Sequence, residues 1–203
     1  MIGTFVSLEG VDGSGKSTQA VMLADALRER GHEVVHVREP GGTALGEAVR
    51  DVVLGPDPMS PWAEAYLFAA ARAQLVREVV EPALARGTWV VADRFLDSSL
   101  AYQGAARGLG IAEVAAINGP AIGDFMPDLT IILDITPGAA SDRRADRGSV
   151  DRIEDEGEAL QESVAQGYRE VARRYPERVH LVPAAGTLDE VHARVMATVV
   201  GSL

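Results

Sequence analysis

The sequence predicts an α/β fold in which helices flank a five-stranded parallel sheet, a three-layer sandwich. Short β-branched runs alternate with longer segments of helical periodicity, which is typical of βα units around a parallel sheet. The chain has 203 residues, of which 47% are hydrophobic and 24% charged, so it can bury a substantial core. Because the sequence contains no internal repeat and no linker-like stretch, we expect a single domain over residues 1–203.

Five segments have the length and the β-branched composition of strands. In chain order they are Phe5–Glu9, Glu33–Val37, Thr88–Ala92, Leu129–Asp134 and Val179–Val182. Five strands separated by long helical intervals suit one sheet.

The intervals between the strands carry helical patterns. In the first interval, apolar residues occupy the i, i+3, i+4 and i+7 positions Ala20, Leu23, Ala24 and Leu27. Gly31 then provides a natural end for this helix. Further helices are predicted at Ala44–Val53, Trp62–Val80, Ile111–Ile122, Glu158–Arg174 and Leu188–Val200.

Two segments lack a clear pattern, and we expect them to be mobile. Gly55–Pro61 contains three prolines, and Asp142–Glu158 contains four arginines and seven acidic residues. The second segment, at about residues 142–158, is a candidate lid.

Charge and composition exclude several classes of protein. The formal net charge is −11, so a general electrostatic surface for nucleic acid or an anionic membrane is not expected. The sequence has no cysteine, which excludes disulfides and thiolate metal sites and fits a reducing compartment. No run approaches the ~20 apolar residues of a membrane span, and no signal-peptide pattern is present. We expect a cytoplasmic protein.

A glycine-rich segment between the first predicted strand and the first helix fits the pattern G-x-x-x-x-G-K-[ST]. It consists of Gly10, Val11, Asp12, Gly13, Ser14, Gly15, Lys16 and Ser17, and Thr18 follows it. In such a loop backbone N–H groups surround a phosphate, the lysine reaches its oxygens and the hydroxyl binds Mg²⁺. A glycine-rich turn that serves only packing is the alternative. Lys16 is the one lysine among 19 basic residues, and we predict that it binds phosphate.

The phosphate loop predicts a nucleotide but leaves the reaction open. A GTPase would carry an Asn-Lys-x-Asp motif, and the sole asparagine here is Asn118 in an unrelated context. Transfer to a second substrate is therefore favoured over a GTP switch. Asp93 and Arg94 end the third predicted strand, where a carboxylate can hold Mg²⁺ and a guanidinium can bind phosphate oxygens. A strand-end salt bridge is the structural alternative.

Seven motifs over nearly the whole chain resemble those of the thymidylate kinase family of P-loop enzymes. They are Glu9 to Thr18, Arg38-Glu39-Pro40-Gly41-Gly42-Thr43, Phe68-Ala-Ala-Ala-Arg72, Asp93-Arg94-Phe95, Tyr102-Gln103-Gly104, Pro127-Asp128-Leu129-Thr130 and Arg147-Gly148-Ser149-Val150-Asp151-Arg152-Ile153-Glu154. The phosphate loop alone is shared by a whole superfamily, whereas the second, fourth and last motifs together are close to diagnostic. The resemblance implies a P-loop NTPase fold and ATP-dependent phosphorylation of dTMP to dTDP, a step of dTTP biosynthesis.

The resemblance also implies residues that bind the acceptor nucleotide. Phe68 is expected to stack on thymine and Arg72 to hydrogen-bond its O4, since the two lie four residues apart on one helix face. Tyr102 is expected beneath the sugar, and Ser99 and Gln103 are candidate base or phosphate contacts. A core role is the alternative for both aromatic residues.

Asp12 resembles the acid that contacts the 3′-hydroxyl of the acceptor sugar. Arg38 resembles a residue near the acceptor phosphate, and the resemblance implies a cis peptide between Glu39 and Pro40.

Phosphoryl transfer often requires an arginine beyond the phosphate loop. The variable positions of the loop contain no basic residue, so the candidate lid must supply it, as in the family subgroup with a basic lid. We predict Arg147 as the catalytic arginine, with Arg143 and Arg152 also binding ATP. Arg144 is expected to pair with local acids.

These interpretations predict direct in-line transfer without a phosphoenzyme. Asp93 and Ser17 hold Mg²⁺, while Lys16, Arg94 and Arg147 stabilise the moving charge. Relatives are homodimers, so a homodimer is implied; the apolar helix around Trp62–Val80 could supply its interface or could equally be core. A kinase for another monophosphate or for a nucleoside, and a regulatory protein that only binds nucleotide, are the competing hypotheses.

Overall fold

The computed structural model describes residues 3–145 and 152–203. In these residues five strands form one parallel sheet in the order β2-β3-β1-β4-β5. The strands are β1 (Phe5–Glu9), β2 (Val34–Arg38), β3 (Trp89–Asp93), β4 (Leu129–Asp134) and β5 (Val179–Pro183). The predicted five-stranded parallel sheet is confirmed. β1 and β4 have the predicted bounds, whereas β2 and β3 are displaced by one residue and β5 ends one residue later.

The strand order determines where a site can form. β1 lies at the centre of the sheet and pairs with β3 on one side and β4 on the other, with Leu8 opposite both Asp93 and Ile131. Parallel strands bring their carboxyl ends to one edge, and ligands bind there at the point where the connections diverge. The loops after β1 and β3 therefore meet at this edge.

The helices occupy the intervals that the sequence predicts. They are α1 (Lys16–Glu29), α2 (Ala44–Leu54), α3 (Pro61–Leu75), α4 (Glu81–Ala85), α5 (Leu96–Ser99), α6 (Ile111–Ile122), α7 (Pro137–Ala145), α8 (Arg152–Asp155), α9 (Glu158–Arg174) and α10 (Leu188–Ser202). A π-helical segment, Val76–Val80, joins α3 to α4, and a second one, Leu100–Ala106, continues α5. The helix predicted over Trp62–Val80 is thus longer, and neither the helical segment after β3 nor α7 and α8 were predicted.

Side-chain caps explain where several helices begin. Thr43 accepts a hydrogen bond from the N–H of Gly46 at the start of α2, and Ser60 accepts one from Ala63 at the start of α3. Such caps satisfy backbone donors that have no partner within the helix.

The core lies between the sheet and the helices. All five residues of β1 are buried, as expected of a central parallel strand covered on both faces. Phe5 packs edge to face on Phe95 with ring centroids 4.9 Å apart. α1 contacts α10, while α9 contacts the π-helical segment Leu100–Ala106 and α6 contacts α3.

Only part of the candidate lid lies within the described residues. α7 and α8 flank residues 146–151, which lie outside the described residues together with the predicted catalytic Arg147. Mobility of Gly55–Pro61 stays a prediction. Among the described residues, no helix has both the length and the hydropathy needed to cross a bilayer.

A matched pair of substitutions on α10 tests the position of the core. Val195 is fully buried, whereas 73% of Val200 is exposed. Val195→Ala should lower the free energy of unfolding by about 2 kcal/mol through lost burial and a cavity, and Val200→Ala should change it by less than about 0.5 kcal/mol. Both variants gain the same helix propensity, so the difference between their free energies of unfolding in urea measures the effect of burial. Equal losses would contradict the packing of α10.

Candidate active site

The phosphate loop connects β1 to α1. Gly10, Gly13 and Gly15 have φ angles of 141°, 86° and 93°, which glycine adopts without the steric cost of a side chain. A Cβ at Gly10 would lie 2.8 Å from Ser14 Oγ and 3.0 Å from a backbone oxygen of β4. α1 begins at Lys16 without an acidic residue in its first turn, so its positive end is available to an anion. The loop has the conformation that a phosphate cradle requires.

A small cleft of about 180 Å³ borders this loop, and we call it the second cleft. Gly13, Ser14, Gly15, Thr18, Arg143 and residues 186–188 contribute to its wall. Arg143 donates to the backbone oxygen of Ser14 at 3.5 Å and to that of Ala184 at 3.1 Å. Ser14 Oγ is buried without a hydrogen-bond partner in the described part of the chain. The structure thus brings Arg143, predicted to bind ATP, to the phosphate loop.

A larger cleft of about 430 Å³, the main cleft, opens on the other side of the loop at the carboxyl ends of β1, β2 and β3. The predicted site residues in its wall are Asp12, Gly13, Lys16, Ser17, Arg38, Phe68, Asp93, Arg94, Ser99, Tyr102 and Gln103. Residues from five separate sequence motifs therefore meet around one space.

An ion pair between Asp12 and Arg94 lies at the centre of the main cleft. Tyr102 donates its hydroxyl proton to Asp12 Oδ2 at 2.9 Å and accepts a hydrogen bond from Arg94 at 3.2 Å. The guanidinium of Arg94 also stacks 5.1 Å from the centroid of the Tyr102 ring. Lys16 Nζ lies 3.2 Å from Asp12 Oδ1. One carboxylate therefore pairs with two cations of the main cleft, Lys16 and Arg94.

Burial and charge act in opposite directions on these groups. Burial raises the pKa of Asp12, but Arg94 and Lys16 outweigh it and hold that pKa well below its usual range. Burial and Arg94 lower the pKa of Lys16, against the influence of Asp12 and Asp93. Burial raises the pKa of the Tyr102 phenol. At neutral pH Asp12 is therefore ionised and Tyr102 keeps the proton that it donates.

Asp93 fits the predicted role in binding Mg²⁺. Its Oδ1 is buried and has no hydrogen-bond partner among the described residues, and Ser17 lines the same cleft. The described residues contain no cluster of three or more carboxylates or imidazoles that could hold a metal alone. Mg²⁺ typically binds one or two protein ligands together with substrate phosphates and water, which is the role predicted for Asp93 and Ser17.

The wall opposite the phosphate loop contains the residues predicted to contact a base. Phe68 is half-buried and lines the main cleft, and Ser99 and Gln103 are buried beside it. Gln103 donates to Glu64 Oε1 at 3.0 Å, which fixes the orientation of its amide. The structure brings these three side chains together, as the resemblance implied.

Arg72 occupies a different position from the one expected. Its guanidinium is buried behind the main cleft, where it donates twice to Glu39 Oε2 at 2.9 and 2.5 Å. It also donates to Asn118 at 2.5 Å and to Ser99 at 3.2 Å. Phe68 therefore lines the cleft, while Arg72, four residues along α3, does not line it and is joined to it through Glu39 and Ser99.

Arg38 and the turn that follows it form the rim of the main cleft. Arg38 pairs with Glu47 at 2.9 Å and is half-exposed. The peptide between Glu39 and Pro40 is cis, as implied. Arg50 donates to the backbone oxygen of Pro40 at 3.0 Å and lines the same wall. Sequence reasoning missed Arg50, although a basic residue within the apolar pattern of α2 was a usable signal.

Arg152, predicted to bind ATP, lies on the side of the main cleft. It donates to Glu64 at 2.5 Å and to the backbone oxygen of Val53 at 3.0 Å. Glu64 also pairs with Arg107 at 3.1 Å. Burial alone would raise the pKa of Glu64, but the hydrogen bonds from these donors outweigh it and lower that pKa. The structure thus places Arg152 beside the main cleft, where Glu64 joins it to the lining residue Gln103, and places Arg143 at the phosphate loop.

Replacing Arg72 should show how strongly the pair behind the cleft supports the fold. Arg72→Met leaves Glu39 buried without its cation. Burial raises the pKa of that carboxyl, and Arg72 opposes this shift. We expect a loss of about 3 kcal/mol in the free energy of unfolding, measured with urea. Adding Glu39→Gln should restore part of it, because no buried charge remains. If the free energy of unfolding of Arg72→Met alone were within about 0.5 kcal/mol of the parent's, the pairing would be contradicted.

The comparisons with known proteins agree with this geometry. Residues 8–195 match the family model described as thymidylate kinase. The chain is 42% identical to a thymidylate kinase of Exiguobacterium sp. strain AT1b over 97% of this chain and 93% of that protein. It is 45% identical to one of Deinococcus radiodurans, over 97% and 96%. A crystal structure of thymidylate kinase from Ehrlichia chaffeensis superposes with a TM-score of 0.81 at 30% identity, covering 98% of this chain and 99% of that one.

The match extends over the phosphate loop, both clefts and the sheet that positions them, at identities well above those at which only a fold is shared. On this basis the chain belongs to the thymidylate kinase family.

Proposed function

We propose that this chain transfers the γ-phosphoryl group of ATP directly to dTMP, forming dTDP and ADP. Membership of the family supports the acceptor and the donor. The observation that carries the proposal is the arrangement of two clefts on either side of one phosphate loop. A donor in the second cleft and an acceptor in the main cleft would meet at Lys16 and Arg94, which is the geometry of an in-line displacement.

The side chains at that meeting point suit phosphoryl transfer. A phosphate oxygen of dTMP attacks and ADP leaves, so no protein nucleophile is needed. Lys16 and Arg94 stabilise the charge on the transferred group, and the fixed pairing with Asp12 holds both cations in place before substrate binds. In the acceptor complex Asp12 exchanges part of these contacts for the 3′-hydroxyl of the sugar, above Tyr102.

Mg²⁺ completes the proposed site. Ser17 and the unpartnered Oδ1 of Asp93 would hold it, directly or through water. When bound, it neutralises charge on the phosphates of ATP.

The base of dTMP is proposed to lie against Phe68. Gln103 would hydrogen-bond the polar edge of the base, since Glu64 fixes the orientation of that amide. Ser99, which accepts a hydrogen bond from Arg72, would connect Arg72 to the cleft. Direct bonding of Arg72 to O4, as the resemblance implies, would require it to give up one of its present partners.

Three wider features are also proposals. Residues 1–203 form one kinase domain, the protein is cytoplasmic, and two copies form a homodimer. For the dimer, Trp62 and Tyr66 of α3 offer support, because 39% and 57% of these residues are exposed and their rings lie 5.8 Å apart. Exposed aromatic residues are enriched at protein interfaces.

An acceptor panel tests the function. With ATP and Mg²⁺, kcat/KM for ADP formation should be highest with dTMP, and about tenfold or more lower with dUMP because one methyl group contributes ~1–3 kcal/mol. dGMP and thymidine should be poor acceptors. Lys16→Ala should lower kcat about 100-fold or more with an unchanged thermal transition. A faster rate with dGMP or thymidine would refute the assignment of the base wall, and nucleotide binding without acceptor-dependent ADP would indicate a regulatory protein.

The predicted catalytic arginine is tested by a pair of substitutions in the candidate lid. Arg147→Ala should lower kcat by about 100-fold or more and leave dTMP binding nearly unchanged, because the guanidinium acts on transition-state charge. Arg143→Ala, which removes the contact with Ser14, should mainly raise the KM for ATP. An equal loss of kcat from Arg143→Ala would transfer the catalytic role to Arg143.

A further inference from the structure

A buried carboxylate lies directly beneath the proposed site. Glu9 is the last residue of β1 and precedes the phosphate loop. It is fully buried, and it does not line the main cleft or the second cleft. Burying a carboxylate is costly unless it is fully hydrogen-bonded, so its contacts indicate what it does.

Four donors surround the two oxygens of Glu9. Oε1 accepts from the N–H of Phe95 at 2.7 Å and from Ser7 Oγ at 2.9 Å. Oε2 accepts from Ser98 Oγ at 2.6 Å and from the hydroxyl of Tyr168 at 3.1 Å. The ionised carboxylate can accept from all four of them at once, the two hydroxyls acting as donors. Protonation would reverse or break one of these bonds.

Three of these donors lead to Arg94. Its Nη1 donates to Ser98 Oγ at 3.0 Å and to the hydroxyl of Tyr168 at 3.3 Å. Both hydroxyls can accept from Arg94 when they donate to Glu9, and the two also lie 2.9 Å from each other, where either can donate to the other. The third donor, the N–H of Phe95, belongs to the peptide that follows Arg94 directly.

The backbone at Arg94 needs such support. Its φ of 72° is the one positive value of a non-glycine residue in the described chain. A residue with a side chain pays a steric cost in this region and stays there only when its surroundings hold it. Glu9 binds the next N–H, so the same carboxylate fixes the backbone and the guanidinium of one arginine.

We propose that Glu9 is a positioning residue for phosphoryl transfer, whose ionised carboxylate orients Arg94 through the Phe95 N–H and through the hydroxyls of Ser98 and Tyr168. The inference rests on the function proposed for Arg94. Glu9 touches no substrate; it determines where the guanidinium that does so is placed. A purely structural carboxylate would have no reason to converge on this one side chain.

The charges around Glu9 place its titration in the neutral range. Burial raises its pKa to about 7, helped by Asp97 of α5 and opposed by Ser98, Arg94 and the Phe95 N–H. Arg178, which pairs with Asp97 at 2.7 Å, is the other charge near it, and Tyr168 of α9 is the other titratable group. We therefore expect the orienting form to increase with pH through about 7.

Stability should change in the opposite direction. A carboxyl whose pKa rises from 4.5 to about 7 on folding contributes stability that is fully present below 4.5 and is lost as the pH rises through about 7. Activity that depends on the ionised form gains over the same range. A residue with only a structural role would not separate the two trends.

Glu9→Gln provides the test, because glutamine keeps the shape but has one acceptor oxygen. At about pH 8 its kcat should be about tenfold lower, or more, since a small displacement of a positioned group is costly in rate. Its melting temperature at that pH should be equal to or above that of the parent. The ratio of parent to variant kcat should rise from about pH 6 to about pH 8. Substrate phosphates titrate in this range too, but they affect both enzymes and cancel in the ratio.

Two further variants test the path, the hydrogen bonds that lead from Glu9 through Ser98 and Tyr168 to Arg94. Ser7→Ala removes a bond to Glu9 that does not lead to Arg94, so kcat at about pH 8.5 should stay within about twofold. Ser98→Ala breaks the path and should lower kcat as Glu9→Gln does. The kcat of the double variant Glu9→Gln/Ser98→Ala should be no lower than that of the more impaired single variant, because both substitutions act through one path. Ser98→Ala and Tyr168→Phe test the same path if Glu9→Gln does not fold.

Each outcome has a definite meaning. Unchanged kcat in Glu9→Gln, a flat ratio over pH, or additive losses in the double variant would overturn the positioning role while the parent enzyme remains active on dTMP. A parent chain without dTMP-dependent ADP formation would overturn the proposed function, and this inference with it.

Discussion

The buried ion pair between Asp12 and Arg94 is the interaction on which the rest of the site depends. Only 16% of the Arg94 side chain and 13% of that of Asp12 are exposed, and burial alone would raise the pKa of Asp12. Lys16 and Tyr102 supply the further hydrogen bonds that such a pair requires. Buried ion pairs add little net stability compared with apolar packing. We infer that this one is retained because it holds two cations where phosphates would bind, so that little reorganisation accompanies transfer.

The acidic exterior makes this local arrangement necessary. At a net charge of −11, the overall field repels polyphosphates, and affinity must come from groups that act at short range. The main cleft concentrates Lys16, Arg38, Arg50 and Arg94 around the carboxyl edge of the sheet. The sheet register brings the loops after β1 and β3 to this edge, so the topology gathers the positive charge.

Residue types at fixed spacing could be predicted, whereas long-range partners could not. The phosphate loop was recognisable because phosphate binding demands glycines, a lysine and a hydroxyl at set positions. Phe68 and Arg72 were correctly placed on one helix, but the partners of Arg72 are Glu39 and Asn118, which lie 33 and 46 residues away in sequence. The π-helical geometry of Leu100–Ala106 and the contacts of Glu9 arise from packing that no local pattern records.

The two ends of the candidate lid contact different clefts. Arg143 reaches the backbone of the phosphate loop beside the second cleft, while Arg152 pairs with Glu64 and its neighbour Ile153 lines the main cleft. Residues 146–151 join these two arginines in sequence, and Arg147 is among them. Charge develops between the two substrates during in-line transfer. On the function proposed above, an arginine between these two in sequence would be available to that charge, whereas Arg143 and Arg152 are held by their present partners.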